Sequence, residues 1–209
     1  CGFLLDRSIP YRAEGHVVDH LLGATEAVGA APRTRAPRIY LSDEERARGR
    51  ELLRSAGVAD GRRALVVSPG ANWRFRRWPA ERFGRLARAA REGLGLLPVV
   101  VGSAADRGIA DEVVASSSGA AVSMAGRTDV RELAAVASQA AAFVGNDSGP
   151  AHVAAAVGTP VVALFGPNTP ERFAPRGSPV RVVRHEMACS PCSQRRCVRP
   201  EAWCMSRIT

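Results

Sequence analysis

Lysine is absent from this 209-residue chain: all 29 basic residues are arginine, set against 20 acidic ones. The formal charge of +9 would ordinarily point to nucleic acid or another polyanion. The same chain carries 36 alanines, so part of its arginine is compositional drift of the kind a GC-rich coding sequence produces, and nucleic acid is not expected as a partner. Anionic small molecules and lipids remain compatible partners, because the guanidinium fork suits phosphate. Long apolar runs are also lacking. The longest, such as 161–165, are strand-length and far short of the roughly 18 residues of a membrane span. No charged n-region followed by an apolar core opens the chain. It begins at Cys1 rather than Met, and we expect a piece of a longer protein. With 46% hydrophobic and 23% charged residues, the composition is that of a folded globular domain rather than a disordered one.

Cysteine is scarce but concentrated. Four of the five, Cys189, Cys192, Cys197 and Cys204, fall in one short stretch. Without an export signal the compartment reads as reducing, which favours metal or free thiols over disulfides. Four thiols at short spacing can hold zinc tetrahedrally, although the x4 and x6 gaps depart from paired Cys-x2-Cys ribbons. The alternative is a set of reduced cysteines shaping a loop.

Residues 14–29 place Val17, Val18, Leu21 and Leu22 on one helical face and end at Gly29, and a Pro- and Arg-rich linker follows over 31–39. Ser42 with Glu45 forms a capping box for a helix to about Ser55. From residue 64 the pattern turns regular. Apolar strands at 64–68, 97–102, 120–123, 141–145, 160–166 and 179–183 are interleaved with helices at 79–92, 105–116, 129–139 and 149–158. Alternation of this kind predicts an α/β doubly wound parallel sheet, buried on both faces. Ligands in such sheets bind beyond the carboxyl ends of the strands, which directs attention to 68–77, 102–106, 124–129, 145–152 and 166–170.

Two of these loops carry the chemistry. In GNDSGPAHVAAAVGTPVVALFGP (145–167), Asp147, Ser148 and Gly149 lie between a strand and a helix whose first N–H groups form a phosphate site. The plain alternative is a strand-to-helix turn capped by Asp147 or Ser148. A nucleophilic serine at Ser148 is disfavoured, because Gly-Asp-Ser-Gly proteases are all-β and Asn146 replaces the first glycine of the Gly-x-Ser-x-Gly elbow. In SPGANWRFRRWP (68–79), Arg74, Arg76 and Arg77 precede a helix and suit a diphosphate. The alternative is a solvated basic loop with Trp78 as a packing anchor.

Together PGANWRFRRWPAERFGRLA, GNDSGPAHVAAAVGTPVVALFGPNTPERFAP and CSPCSQRRCVRPEAWCM resemble glycosyltransferase family 9, and within it the bacterial ADP-heptose:lipopolysaccharide heptosyltransferases of the heptosyltransferase II branch. The resemblance implies a GT-B fold of two Rossmann-like domains. This chain would be the carboxyl-terminal, donor-binding one. It implies residues 1–30 as the end of the acceptor-side domain, 31–60 as linker and connecting helix, and 61–209 as the nucleotide-sugar domain with its Cys-rich loop. Carried over by position, Ser148, Gly149, Pro150 and Ala151 would offer backbone amides to the ADP phosphates, with Ser68 and His152 beside the donor. Asp147 would sit near the donor sugar, and Arg76, where the family usually has Lys, would face the phosphates with Arg74 and Arg77. Asp106 would hold the ribose hydroxyls and Thr128 would lie by the adenine. Asp147 and Arg76 are thus the expected catalytic pair.

The implied reaction moves heptose from ADP-heptose to the lipopolysaccharide inner core with inversion. The general base belongs to the other domain, so the fragment alone is expected to be inactive. No Asp-x-Asp pair is placed for a divalent ion, so no cofactor is expected to be required, with structural zinc on Cys189, Cys192, Cys197 and Cys204 as an open option. The implied location is cytoplasmic, peripheral at the inner face of the inner membrane. Two alternatives stay open: a UDP-sugar transferase or epimerase of the same fold, and a four-cysteine zinc module binding nucleic acid.

Overall fold

The structure is a computed structural model that describes residues 8–9, 14–59, 63–199 and 201–209. Its centre is a six-stranded, wholly parallel sheet: β1 (Ala64–Ser68), β2 (Leu97–Val100), β3 (Val122–Ser123), β4 (Ala142–Asn146), β5 (Val161–Phe165) and β6 (Val180–Arg184). The spatial order is β3-β2-β1-β4-β5-β6. The expected doubly wound sheet is therefore the one observed, and the order reverses direction between β1 and β4. That reversal opens a crevice beyond the carboxyl ends of those two strands. Ser68 pairs in register with Gly145 at its floor.

Because side chains alternate across a strand, neighbours on β1 enter opposite cores. Val66 joins Val99, Phe143 and Phe165 on the face covered by α2 (Asp43–Ser55), α5 (Val130–Ser138) and α6 (Gly149–Ala156). Leu65 and Val67 join Phe83, Ala87, Ala110 and Val113 on the face covered by α3 (Ala80–Leu94) and α4 (Arg107–Ser116). The helices face the sheet largely through alanine, which lets them lie close to it.

Helix boundaries follow local chemistry. The Ser42–Glu45 capping box forms as expected, and a second one, Asp129 with Glu132, opens α5. α3 ends at Gly95 in the left-handed conformation. Two short helices have no counterpart in the sequence reading: α7 (Pro170–Phe173) and α8 (Trp203–Ser206). α8 buries Cys204 and Met205 against the second core.

The expected helix over 14–29 is shorter, α1 (Val17–Ala27), and its apolar stripe is not a core face. None of its residues is buried, and Leu21 is 62% exposed. Polar contacts hold it instead. His16 Nε2 lies 2.8 Å from the Ala174 carbonyl, and Arg176 binds both carboxylate oxygens of Asp19 at 3.0 Å. The linker runs alongside, with Ile39 N donating to the Ala156 carbonyl.

Arg176 first, and Arg35 after it, hold the Asp19 carboxyl at about 2, against an ordinary 3.8. A carboxyl lowered only in the folded chain stabilises it above its unfolded pKa and loses that contribution as pH falls through the folded one. The stability difference between the parent and Asp19→Asn, measured by denaturant unfolding, should therefore be constant from pH 7 to 5 and shrink from about pH 4 toward pH 2.

Candidate functional site

Three strand ends surround a cavity of about 750 Å³ in the crevice. Ser68 ends β1 with Gly70 and Asn72 after it, Gly102 and Asp106 follow β2, and Asp147, Ser148, Gly149 and Pro150 follow β4. Thr128, Asp129 and Leu133 close the side under β3.

The two informative loops are sewn together by one buried side chain. The Asn146 carboxamide oxygen accepts from the backbone N–H of Trp78 at 3.0 Å, and its NH2 donates to the Pro69 carbonyl at 2.7 Å. Trp78 is itself anchored, donating Nε1–H to the Ile208 carbonyl at 3.1 Å and meeting Phe83 edge-on with centroids 4.8 Å apart. Trp78 is thus the packing anchor, and the arginines before it are displayed from a fixed base. A short 3₁₀ turn, Arg74–Arg76, carries them.

Of the three arginines, Arg76 enters the cavity most completely. Its NH1 pairs with Asp147 Oδ2 at 3.1 Å, the side chains being 23% and 6% exposed. Asn168 Nδ2 donates to the same Asp147 oxygen at 2.8 Å. A carboxylate this buried needs such partners. Arg77 lines the cavity but is braced by its Nε–H on the Ala71 carbonyl at 2.9 Å. Arg74 does not line it: the guanidinium lies over the Phe75 ring, 4.5 Å from the centroid, on the exposed side of the turn.

Asp106 lines the cavity beyond β2. Its Oδ2 accepts from Ser103 N at 2.9 Å and from Ser103 Oγ at 2.7 Å. Its Oδ1 is packed so closely to Gly70 that a Cβ there would lie 2.5 Å away. A side chain at Gly70 would have to displace the carboxylate.

At the start of α6 the expected amide donors need correction. Pro150 has no N–H to give, and the Ala151 N–H is taken by the Ser148 carbonyl at 3.1 Å. Ala151 is fully buried behind the cavity wall. The amides left at the helix start are those of Ser148 and Gly149. The Ser148 side chain makes no cap bond; its hydroxyl donates to the Asn146 carbonyl at 3.3 Å. It has no imidazole partner among the described residues, as a nucleophilic serine would require. His152 is likewise outside the lining, on the exposed flank of α6. Surrounding protein lowers its pKa, with the Asp147 carboxylate pulling the other way.

The four clustered cysteines do not assemble as a metal-binding set: among the described residues no three His, Cys, Asp or Glu side chains meet to hold an ion. They differ in exposure. Cys204 is drawn into the core beside Met205, whereas Cys189 and Cys192 stay exposed and Cys197 is half-buried. Burial, and next the neighbouring thiols of Cys197, Cys192 and Cys189, push the Cys204 thiol up to about 11.

Residues 3–202 match the family model described as glycosyltransferase family 9 (heptosyltransferase). The chain belongs to glycosyltransferase family 9. Among relatives of this family it is 32% identical over 153 residues to lipopolysaccharide heptosyltransferase 3 of Escherichia coli K12, covering 72% of this chain and 44% of that protein. It is 32% identical over 155 residues to lipopolysaccharide heptosyltransferase 2 of Salmonella typhimurium, covering 71% and 43%. A solved family 9 glycosyltransferase from Veillonella parvula superposes with a TM-score of 0.76 at 28% identity, over 84% of this chain and 51% of that one. ADP-heptose lps heptosyltransferase II of E. coli superposes with a TM-score of 0.65 at 28% identity, over 77% and 49%. The family chain described here thus spans about half or less of the relatives it matches. Its open parallel sheet with helices on both faces is the Rossmann-like architecture of those heptosyltransferase structures.

Three residues of this family 9 site escaped the sequence reading: Asn146 as the bridge, Asn168 on Asp147, and Gln194, whose Oε1 accepts from Arg76 Nε at 2.5 Å. All three lay inside the motifs that carry the family resemblance; Asn146 ends β4 and Asn168 lies in the loop after β5, whereas no local chemistry marked Gln194.

Asn146→Ala strands two buried backbone groups and should destabilise the fold by roughly 2–4 kcal/mol in denaturant unfolding. In native alkylation with iodoacetamide near pH 8, read by mass spectrometry, Cys189 and Cys192 should label readily, and Cys204 only after denaturation.

Proposed function

We propose that this chain is the donor-binding part of an inverting heptosyltransferase, which moves heptose from ADP-heptose to the inner core of lipopolysaccharide. The observation that carries the reading is the cavity over the β1–β4 reversal, where Arg76 and the start of α6 meet in a family 9 chain. The relatives named as lipopolysaccharide heptosyltransferases support the sugar and the acceptor, and the E. coli structure named for ADP-heptose supports the nucleotide.

In this reading the diphosphate lies between the Arg76 guanidinium and the Ser148 and Gly149 amides, the ribose hydroxyls reach Asp106, and the base lies toward Thr128. As the anomeric C–O bond breaks, charge accumulates on the departing diphosphate. Fixed donors aimed at that charge stabilise the transition state more than the ground state. Arg76 and the α6 amides are such donors. Asp147 serves by fixing Arg76 beside the sugar. Engaged by Arg76 and Asn168, it is poorly placed to take the acceptor proton, and we assign the general base to the part of the family's length that this chain does not span. Binding and charge stabilisation come from the protein's own donors, with no cofactor assigned.

No helix is long and apolar enough to cross a membrane among the described residues. The arginine-rich surface suits contact with anionic headgroups, in keeping with a peripheral place at the cytoplasmic face of the inner membrane. The nucleic-acid module has less support, since Arg199 and Arg207 stack on Trp203 at 5.0 and 3.7 Å and are spent locally.

Calorimetry should find ADP binding more tightly than UDP and weakening with salt; equal or reversed affinities would point to the UDP-sugar alternative. Within an enzyme spanning the whole family length, Arg76→Ala should cost about ten- to hundredfold in kcat/KM, from a charged hydrogen bond worth roughly 1.5–3 kcal/mol. Arg76→Lys should recover part of that, and Ser148→Ala should cost little. A dead Ser148→Ala enzyme beside a healthy Arg76→Ala one would overturn the assignment.

A further inference from the structure

Among the described residues the Cys-rich segment brings no three ligand side chains together, yet its fold is too well tied to the site to be a passive tail. Ser190 Oγ donates to the Gly166 carbonyl at 2.6 Å, and Cys192 N donates to the Pro167 carbonyl at 3.1 Å. From the other end α8 presses Met205 and Cys204 onto Gly166 so tightly that a Cβ there would lie 2.4 Å from the Met205 sulfur and 3.1 Å from the Cys204 sulfur. Both ends of the segment therefore grip the turn after β5, next to Asn168. Between them, Gln194 sits half-buried with φ +59°, a left-handed conformation that favours glycine and strains most other residues. A side chain held in such a conformation makes a contact that bears on the site. Its amide oxygen lies on Arg76 Nε at 2.5 Å.

We propose that Gln194 is a positioning residue of the donor site, and that the role of the segment around it is to hold that amide against Arg76. A guanidinium has five N–H donors in one plane. Gln194 takes the Nε–H and Asp147 takes one on NH1, which fixes both the plane and its rotation. Three N–H donors remain for an anion in the cavity. Without Gln194 the group can swing about Asp147, and a phosphate must order it on binding. The chain Gln194–Arg76–Asp147–Asn168 thus links the Cys-rich segment, the β1 loop, the β4 loop and the β5 loop through side chains alone. The inference rests on the reading of this cavity as a nucleoside diphosphate site.

Calorimetry with ADP and with AMP on the 209-residue chain tests it, using two variants that lose the amide in opposite ways. Gln194→Gly relaxes the left-handed backbone, and Gln194→Met keeps the side-chain length and the backbone strain. Both should bind ADP roughly five- to tenfold more weakly than the parent, the loss expected for one hydrogen bond, with a smaller loss for AMP. Gln194→Gly should unfold no earlier than the parent. In an Arg76→Lys background, Gln194→Met should produce no further loss, because the planar fork it orients is gone. Parent-level ADP affinity in both variants, or an equal loss in the Arg76→Lys background, would overturn the positioning role while leaving the nucleotide site standing. A parent that binds neither ADP nor AMP would instead overturn the nucleotide reading, and the inference with it.

Discussion

The site depends on the carboxamide of Asn146. A parallel sheet can place two loops side by side at its reversal, but loops from separate strands have no hydrogen-bond ladder between them. Asn146 supplies one, with its donor on the Pro69 carbonyl and its acceptor on the Trp78 N–H. In the interior such bonds are stronger than in water, and costly to leave unmade. Because Trp78 is wedged against Phe83 and tied to the Ile208 carbonyl, the Asn146 bridge transmits the rigidity of the core to the turn carrying Arg76.

Electrostatic strength at the site comes from what is buried rather than from net charge. Most of the arginine surplus lies on the surface, where screening makes each charge worth little. Arg76 differs because its partner Asp147 is nearly sequestered. Such a pair is weak support for stability, since desolvation offsets much of the attraction. It is well suited to holding a guanidinium in one orientation, as the proposed diphosphate site would require.

Much of the fold was legible in the sequence because its determinants are local. Six apolar strands with helices of ordinary length between them specify a parallel sheet, and the Ser42 and Asp129 caps mark helix starts within single turns. The strand ends drifted by only a residue or two. The helix over 14–29 was misread in one respect: Val17, Val18, Leu21 and Leu22 have helical spacing, yet they pack into neither core of the described residues, and the helix is held by Asp19 and His16. Spacing reveals an apolar face, but it does not say what covers that face.

The sequence by itself determined the class of the fold and the strand-end loops to search, which follow from periodicity. It offered Asp147, Ser148 and the Arg74, Arg76 and Arg77 group from turn and phosphate chemistry within short windows; Asp106 and the choice of Arg76 came from the resemblance to family 9. Only the tertiary structure decided which of them meet. The pairing of Arg76 with Asp147 crosses 71 positions, and that with Gln194 crosses 118; no local pattern encodes either. It also separated Arg74 from Arg76, although the two differ by only two positions, because a single 3₁₀ turn sends one guanidinium over Phe75 and the other into the cavity. The four cysteines give the same lesson in reverse. Their spacing invites a metal, but burying Cys204 in the core beside Met205 while Cys189 and Cys192 face solvent is a result of packing, which acts on the whole chain at once.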